Sequence, residues 1–261
     1  MMLIDKLAYS SALRNKSPFV KCAFAVGMLL ICVTARTFLV SLVVFLIMGC
    51  FTVGYNRTPL CHYTKLLLVP FTFLILGTVA VAVNFTALPM DLFNLPLGGI
   101  YIAVSKSSLI YAVRLVMVAL SSVSCLYFLA LTTPMLELLY VVKWLHCPAL
   151  LLEIMLLTYR YIFVLLDMAI AITTAQKCRL SNGCSKSAIK GMGGMLSAVL
   201  IRSVSKANFI FDAMESRCYD GELRMLYCCK KASPAEKLSV IGLLAAVGLV
   251  ALWGSGGSLW I

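Results

Sequence analysis

The 261-residue chain is 62% hydrophobic and 12% charged, with a mean hydropathy of +1.00. That composition excludes an ordinary soluble domain, because apolar runs of about twenty residues match the roughly 30 Å hydrocarbon core of a bilayer. The formal charge of +12 would suggest nucleic acid on a soluble domain. On a membrane chain it reads instead as basic residues kept on the cytoplasmic side beside anionic lipid, and no nucleic-acid partner is expected.

Lys6, Arg14, Lys16 and Lys21 precede the apolar run from Cys22 to Ala35, the main part of a first crossing read at residues 19 to 35. More spans follow, so the run is expected to be an uncleaved first crossing rather than a signal peptide. The second run, Thr37 to Asn56, is free of charge, which leaves Arg36 in a tight outer turn with its stem snorkelling to the interface. The third, Leu66 to Phe85, carries Pro70 and is followed by a Pro- and Gly-rich loop, ALPMDLFNLPLGGIY. The fourth lies between Ser107 and Thr133, with Arg114 interfacial or facing the bundle. The last, Leu238 to Trp253, ends in an uncharged tail. Arg57 and Lys65 follow the second run without an acid, and Asp91 and Lys106 cancel after the third. The bias predicts a cytoplasmic N-terminus, four crossings, a cytoplasmic insertion and a fifth crossing that ends outside. The expected fold is therefore all-α and polytopic, with about five transmembrane helices plus long cytoplasmic amphipathic coupling helices. Its parts are residues 1–133, 134–237 and 238–261.

The insertion holds 13 of the 22 basic and 8 of the 10 acidic residues. Pro148 suits a helix start. Glu153, Arg160, Asp167 and Thr174 then recur every seven residues as one polar stripe, which reads as a wet face. Ser181-Asn182-Gly183 reads as a stop. A second helix is expected from about Ser187 to Arg217, with Ile189, Met192, Leu196 and Val199 on one side and Arg202 and Lys206 on another. Such helices suit the inner membrane surface or a partner protein. They end alike. AQKCRLSNG has Ala175, Arg179 and Gly183, and AMESRCYDG has Ala213, Arg217 and Gly221. An arginine there either complements the helix dipole or offers its planar fork to a partner's carboxylate or carbonyl.

Enzyme signatures are missing. GMGGM (191–195) lacks the G-K-[ST] of a phosphate loop and reads as close helix packing. Asp220-Gly221 is not followed by the residues of enzymes acting on CDP-alcohols. No H-E-x-x-H or G-x-S-x-G occurs. The eleven cysteines contain no C-x-x-C. Cys22, Cys32, Cys50 and Cys125 lie in apolar runs as small hydrophobes, and those of the insertion are expected reduced. A four-ligand metal site from Cys61-His62 and His146-Cys147 is disfavoured, since adjacent side chains seldom aim at one ion.

Several segments together resemble the T components of energy-coupling-factor (ECF) transporters, the CbiQ family of cobalt-transport proteins. These are LALTTPMLELLYVVKWLHCPALLLEIMLLTYRYIFVLLD (129–167), AQKCRL, IRSVSKANFIFDAMESRCYDGELR and the lead-in NKSPFVK. The family's signature arginines usually sit in Ala-Arg-Gly or Ala-Arg-Ser. Here the triplets are Cys178-Arg179-Leu180 and Ser216-Arg217-Cys218. The resemblance implies that these six residues couple to two cytoplasmic ATPase subunits, with Ala175, Ala213, Asp220 and Gly221 in support. It also implies a membrane substrate-binding subunit of the CbiM kind, with or without a small accessory membrane subunit. No metal, cofactor or catalytic residue belongs to this chain, and ATP-Mg is bound by the partner ATPases. The location implied is a bacterial or archaeal cell membrane. Cobalt is the implied substrate, with nickel, a vitamin, or a self-contained secondary transporter as rivals. A membrane enzyme would require clustered carboxylates or a nucleophile-base pair, and none is visible.

Overall fold

The computed structural model describes residues 7–11, 13, 16–56, 59–82, 84–86, 93–97, 100–104, 106–179, 185–221 and 233–255. Among the described residues, eight helices of ten residues or more run in chain order. They are α1 Pro18–Ala35, α2 Phe38–Cys50 with a π turn at Phe51–Tyr55, α3 Leu60–Ala82, α4 Lys106–Thr132, α5 Met135–Trp144, α6 Ala149–Cys178, α7 Ser185–Glu215 and α8 Pro234–Ser255. Among the described residues six are long and apolar enough to cross a membrane: α1, α2 with its π turn, α3, α4, α6 and α8. The chain is thus an all-α polytopic membrane protein. The helix beyond the five expected is α6, whose most apolar stretch has a mean hydropathy of 1.9 although the helix carries four scattered charges, Glu153, Arg160, Asp167 and Lys177.

One expectation changes between α3 and α4. The segment read as a loop contains β1 (Asn84–Thr86), β2 (Phe93–Leu97) and β3 (Ile100–Val104), paired antiparallel in the order β1-β3-β2. Leu97 pairs with Ile100 across Gly98-Gly99, the spacing of a two-residue hairpin. Pro96 is tolerated because β2 is an edge strand.

The chain divides into two compact units. One is built on Met2–Leu138 and Cys229–Ile261, the other on Leu139–Cys228. The core of the first unit follows helical spacing: Phe24, Met28 and Cys32 on α1, Val40, Val44 and Met48 on α2, Cys125 and Phe128 on α4, and Val247 on α8. Phe24, Phe51 and Phe128 meet edge-on, with centroids 5.4 to 6.5 Å apart. Gly27 lets α8 approach, since a Cβ there would lie 2.8 Å from Leu244. Cys32 and Cys125 are buried small hydrophobes as expected, whereas Cys50 is exposed and Cys22 half-buried.

Hydrocarbon offers no water to a broken helix, so each freed backbone group must find a protein partner. Pro70 lacks an N–H and removes the partner of the Leu66 carbonyl one turn earlier. The Tyr127 hydroxyl of α4 donates to that carbonyl at 3.0 Å. Arg36 closes α1 in the left-handed region at φ 46°, and its carbonyl accepts from Arg114 Nε. Arg114 therefore serves the turn between α1 and α2. Ser121 Oγ donates to the Ser41 carbonyl at 2.5 Å, and Tyr63 and Ser124 share a hydrogen bond of 2.8 Å.

Tyr127→Phe should lower stability by about 1–3 kcal/mol, because it strands the Leu66 carbonyl. Pro70→Ala, which restores the local donor, should remove most of that loss. Detergent-unfolding midpoints of the two single variants and the double variant check this.

Candidate functional site: the two helix tips

Both arginine-tipped helices lie in the unit built on Leu139–Cys228. Pro148 is the N-cap of α6, with ψ 141°, and stands one residue before the helix it was expected to begin. The helix ends at Cys178 with Arg179 as its C-cap. Leu180 and the Ser181-Asn182-Gly183 stop lie outside the described residues.

α6 and α7 run antiparallel. Near their connection Gln176 Nε2 donates to the Gly191 carbonyl at 2.9 Å, and Thr173 Oγ1 lies 3.1 Å from Met195 Sδ. At the far end the Tyr219 hydroxyl donates to Glu153 Oε2 at 2.6 Å. Arg179 and Arg217 consequently stand at opposite ends of the pair. For a helix of 30 residues that is about 45 Å at 1.5 Å per residue. Both arginines are exposed, together with Ala175, Cys178, Ser216, Cys218, Asp220 and Gly221, while Ala213 is half-buried. Among the described residues neither guanidinium has an ion-pair or hydrogen-bond partner. A fork of donors with no internal acceptor can accommodate an acceptor from outside the chain.

The end of α7 differs from the expected stop at Gly221. The Cys218 N–H reaches the Glu215 carbonyl at 3.0 Å and the Tyr219 N–H the Met214 carbonyl at 3.2 Å. These two bonds form a Schellman closure, with Cys218 in the left-handed position at φ 58°. Gly221, with φ 88°, makes a second reversal three residues later. Cys218 occupies the position where glycine would be free of steric cost.

Glu153 is not a wet-face residue. It is half-buried and anchors the α7 tip to the start of α6. The carboxylate beside it holds the Tyr219 phenol above its ordinary value of 10, with desolvation adding to the effect. A raised phenol keeps its proton at neutral pH, so the tie is lost only as pH rises through that raised range. Sequence reasoning missed this pair; the available signal was a tyrosine immediately after the left-handed residue, carried to a carboxylate 66 positions away.

The apolar side expected on α7 is largely open, with Val199 half-covered. Ile189, Met192 and Leu196 are exposed, and Leu200 continues their stripe. Ala188, Gly191, Met195 and Ala198 are more covered, and two of these four contact α6. Gly193 and Gly194 do not mark close packing, since a Cβ at either would meet open space. On α6, Leu150, Ile154 and Ile170 are likewise exposed. Among the described residues no group of three or more His, Cys, Asp or Glu side chains is placed to hold a metal.

The profile of the CbiQ family, described as cobalt transport protein, matches residues 10–227. The chain belongs to this family. An uncharacterised protein of Methanocaldococcus jannaschii is 34% identical over 231 residues, covering 88% of this chain and 85% of that one. The cobalt transport protein CbiQ of Rhodobacter capsulatus is 30% identical over 244 residues, covering 94% and 95%. A putative fused cobalt transport protein CbiMQ of Methanocorpusculum labreanum is 31% identical over 222 residues, 84% of this chain but 37% of the fused one. CbiQ is thus a transport family, and the α6–α7 pair lies wholly inside the matched region.

Cys218→Gly should stabilise the α7 end by about 1 kcal/mol, because it removes a side chain from the left-handed region. Hydrogen exchange at amides 214–219 should slow about fivefold, as RT sets for that energy. Tyr219→Phe should speed exchange at the same amides, and Glu153→Gln should return the Tyr219 phenol towards its ordinary titration range in an ultraviolet pH titration.

Proposed function

We propose that this CbiQ-family chain is the coupling, or T, subunit of an ATP-driven ECF importer for cobalt. In this reading it carries the motion of two cytoplasmic ATPase subunits to a substrate-binding membrane subunit. The observation that supports this most is the α6–α7 pair: two stiff antiparallel rods that present exposed, unpartnered arginines at opposite ends. A separation of about 45 Å is too great for one socket and suits two. Each guanidinium, with its neighbours Cys178 and Leu180 or Ser216 and Cys218, would enter a groove on one ATPase and pair there with carboxylates or carbonyls. Closure of the ATPases would then move the tips, and the rods would carry that motion along their length.

In this reading the N-terminus is cytoplasmic, the segment 134–237 lies in the cytoplasm between the membrane segments 1–133 and 238–261, and the C-terminus is outside. In this topology α6 lies at the inner surface. The exposed Ile189, Met192, Leu196 and Leu200 face either lipid or the substrate-binding subunit. The printed name of the fused relative joins a CbiM part to a CbiQ part, which supports a CbiM-like partner for this chain. The chain itself catalyses nothing and binds no nucleotide; ATP-Mg belongs to the ATPases. Cobalt rests on the family, and nickel or a vitamin would leave the mechanism unchanged.

A self-contained secondary transporter would need ionisable residues free for substrate or ion within its spans. The two cations inside the α1 and α4 spans are already engaged. Lys21 meets the Thr132 carbonyl and Glu137, and Arg114 meets the Arg36 carbonyl.

The double variant Arg179→Ala/Arg217→Ala should insert and fold normally, yet lose both ATPases on purification and at least nine-tenths of Co2+ uptake. The exposed native Cys178 and Cys218 beside the arginines should cross-link the parent protein to the two ATPases. Normal uptake by the double variant, with both ATPases retained, would show that the arginines are not the contacts.

A further inference from the structure

α1 and α8 run parallel and side by side within the unit built on Met2–Leu138 and Cys229–Ile261. They meet at two levels. Lys16 Nζ, just before α1, lies 2.5 Å from Glu236 Oε1 in the first turn of α8. Further along, Gly27 of α1 admits Leu244 of α8. Between these contacts lies a cavity of about 270 Å3, bordered also by α4 and the π turn of α2.

The cavity has an apolar depth and a polar mouth. Phe24, Phe51, Phe128 and Leu243 line the depth, and Phe24 and Phe128 are buried. Phe24 stands six residues into α1 and Leu243 nine into α8, about 9 and 14 Å along the helices at 1.5 Å per residue. The mouth holds Lys16, Glu236, Tyr55 and Ser239, of which the last two are exposed. Lys21 is also on the wall, but the Thr132 carbonyl and Glu137 already take its ammonium. Lys237 does not line the cavity. One cation and one carboxylate are therefore left at the mouth. Their pair is open to water, with side chains 40% and 23% exposed, and an exposed pair is weak enough to be opened by a ligand.

We propose that this cavity binds one zwitterionic phospholipid: an acyl chain fills the depth, the phosphate takes Lys16 and the ammonium takes Glu236. An aromatic-walled space retains no ordered water, and in a membrane chain the abundant apolar occupant is a lipid tail. The volume falls short of the roughly 300–1,000 Å3 that encloses a whole drug-sized molecule, so it suits one slender chain. Tyr55 at the mouth matches the tyrosines that mark head-group level. A purely anionic head group would take Lys16 and leave Glu236 facing a phosphate, a like-charge contact that a zwitterion avoids. The lipid completes the packing of α8, whose span is 6% buried against 33% for α1. The site is independent of the coupling role.

The test titrates the full chain, stripped of lipid in detergent, with phosphatidylethanolamine or phosphatidylglycerol. Native mass spectrometry reads bound lipid, and the thermal unfolding midpoint is followed on the same samples. One phosphatidylethanolamine should bind per chain, at least tenfold more tightly than phosphatidylglycerol, and should raise the midpoint. Val20→Phe and Val240→Phe each place a ring in the cavity and should weaken that binding at least tenfold. Lys16→Gln/Glu236→Gln keeps the cavity but removes the head-group partners, and should bind both lipids within threefold of each other. Equal binding of the two lipids by the parent chain shows adventitious contact only and overturns the proposal. Undiminished binding in a folded cavity-filled variant overturns it too, as does a tenfold preference that survives Lys16→Gln/Glu236→Gln. Should neither phenylalanine variant fold, the glutamine pair decides.

Discussion

A carbonyl stripped of its helical partner costs several kcal/mol in hydrocarbon, and this chain leaves such carbonyls at a proline within α3 and at the ends of α1 and α4. Each break is answered by a side chain from another helix. Tyr127 serves Leu66, Arg114 serves Arg36, Asn56 serves Leu131 and Lys21 serves Thr132. Apolar surface alone would not select one arrangement of such helices, because lipid tails are as apolar as leucine. The donors do select it, since each has one carbonyl within reach. The packing of Phe24, Met28, Val44 and Phe128 then fills the space those bonds define.

The same economy explains why the few charges fall where they do. Arg114 and Lys21 occupy spans in which an unpaired cation would be expelled, and each is satisfied by a carbonyl at a helix end, where the backbone dipole is negative. The cations on α6 and α7 follow the opposite rule. Arg179 and Arg217 are left exposed at the helix ends, and the structure invests its internal bonds in holding those ends still. The Schellman closure at Cys218 and the Tyr219–Glu153 bond fix the α7 tip against the start of α6. A tip that is rigid but unpartnered suits a lever, since a floppy one would lose motion before transmitting it.

Much of this was legible in the sequence. The five apolar runs, the amphipathic insertion and the arginine at the end of each long helix follow from local composition and from periods of 3.6 and seven, which a helix expresses wherever it packs. The family resemblance followed from the same segments. What was not legible is long-range. No periodicity ties Lys21 to Thr132, Tyr127 to Leu66 or Glu153 to Tyr219, because those partners are separated by 111, 61 and 66 residues. Which side of α7 meets α6 was hidden for a related reason. An apolar stripe shows that a helix has a greasy side, and only the neighbouring helix decides whether that side or the smaller Gly191–Met195 side is covered. The strands around Pro96 were masked by their own proline and glycines, which read as loop until the edge position makes them tolerable.

By itself, then, the sequence determined that the chain crosses a membrane, where its long helices run, and that two of them end in arginine, since these depend on residues within a few turns of one another; the short α5 was not among them. Tertiary structure alone decided which carbonyls are orphaned and which side chains meet them. It also decided that Cys218 rather than Gly221 closes α7, and that the arginines stand at opposite ends of an antiparallel pair. Those outcomes depend on how distant helices pack, and a freed hydrogen-bonding group is satisfied by whatever donor the packing brings within 3 Å or so.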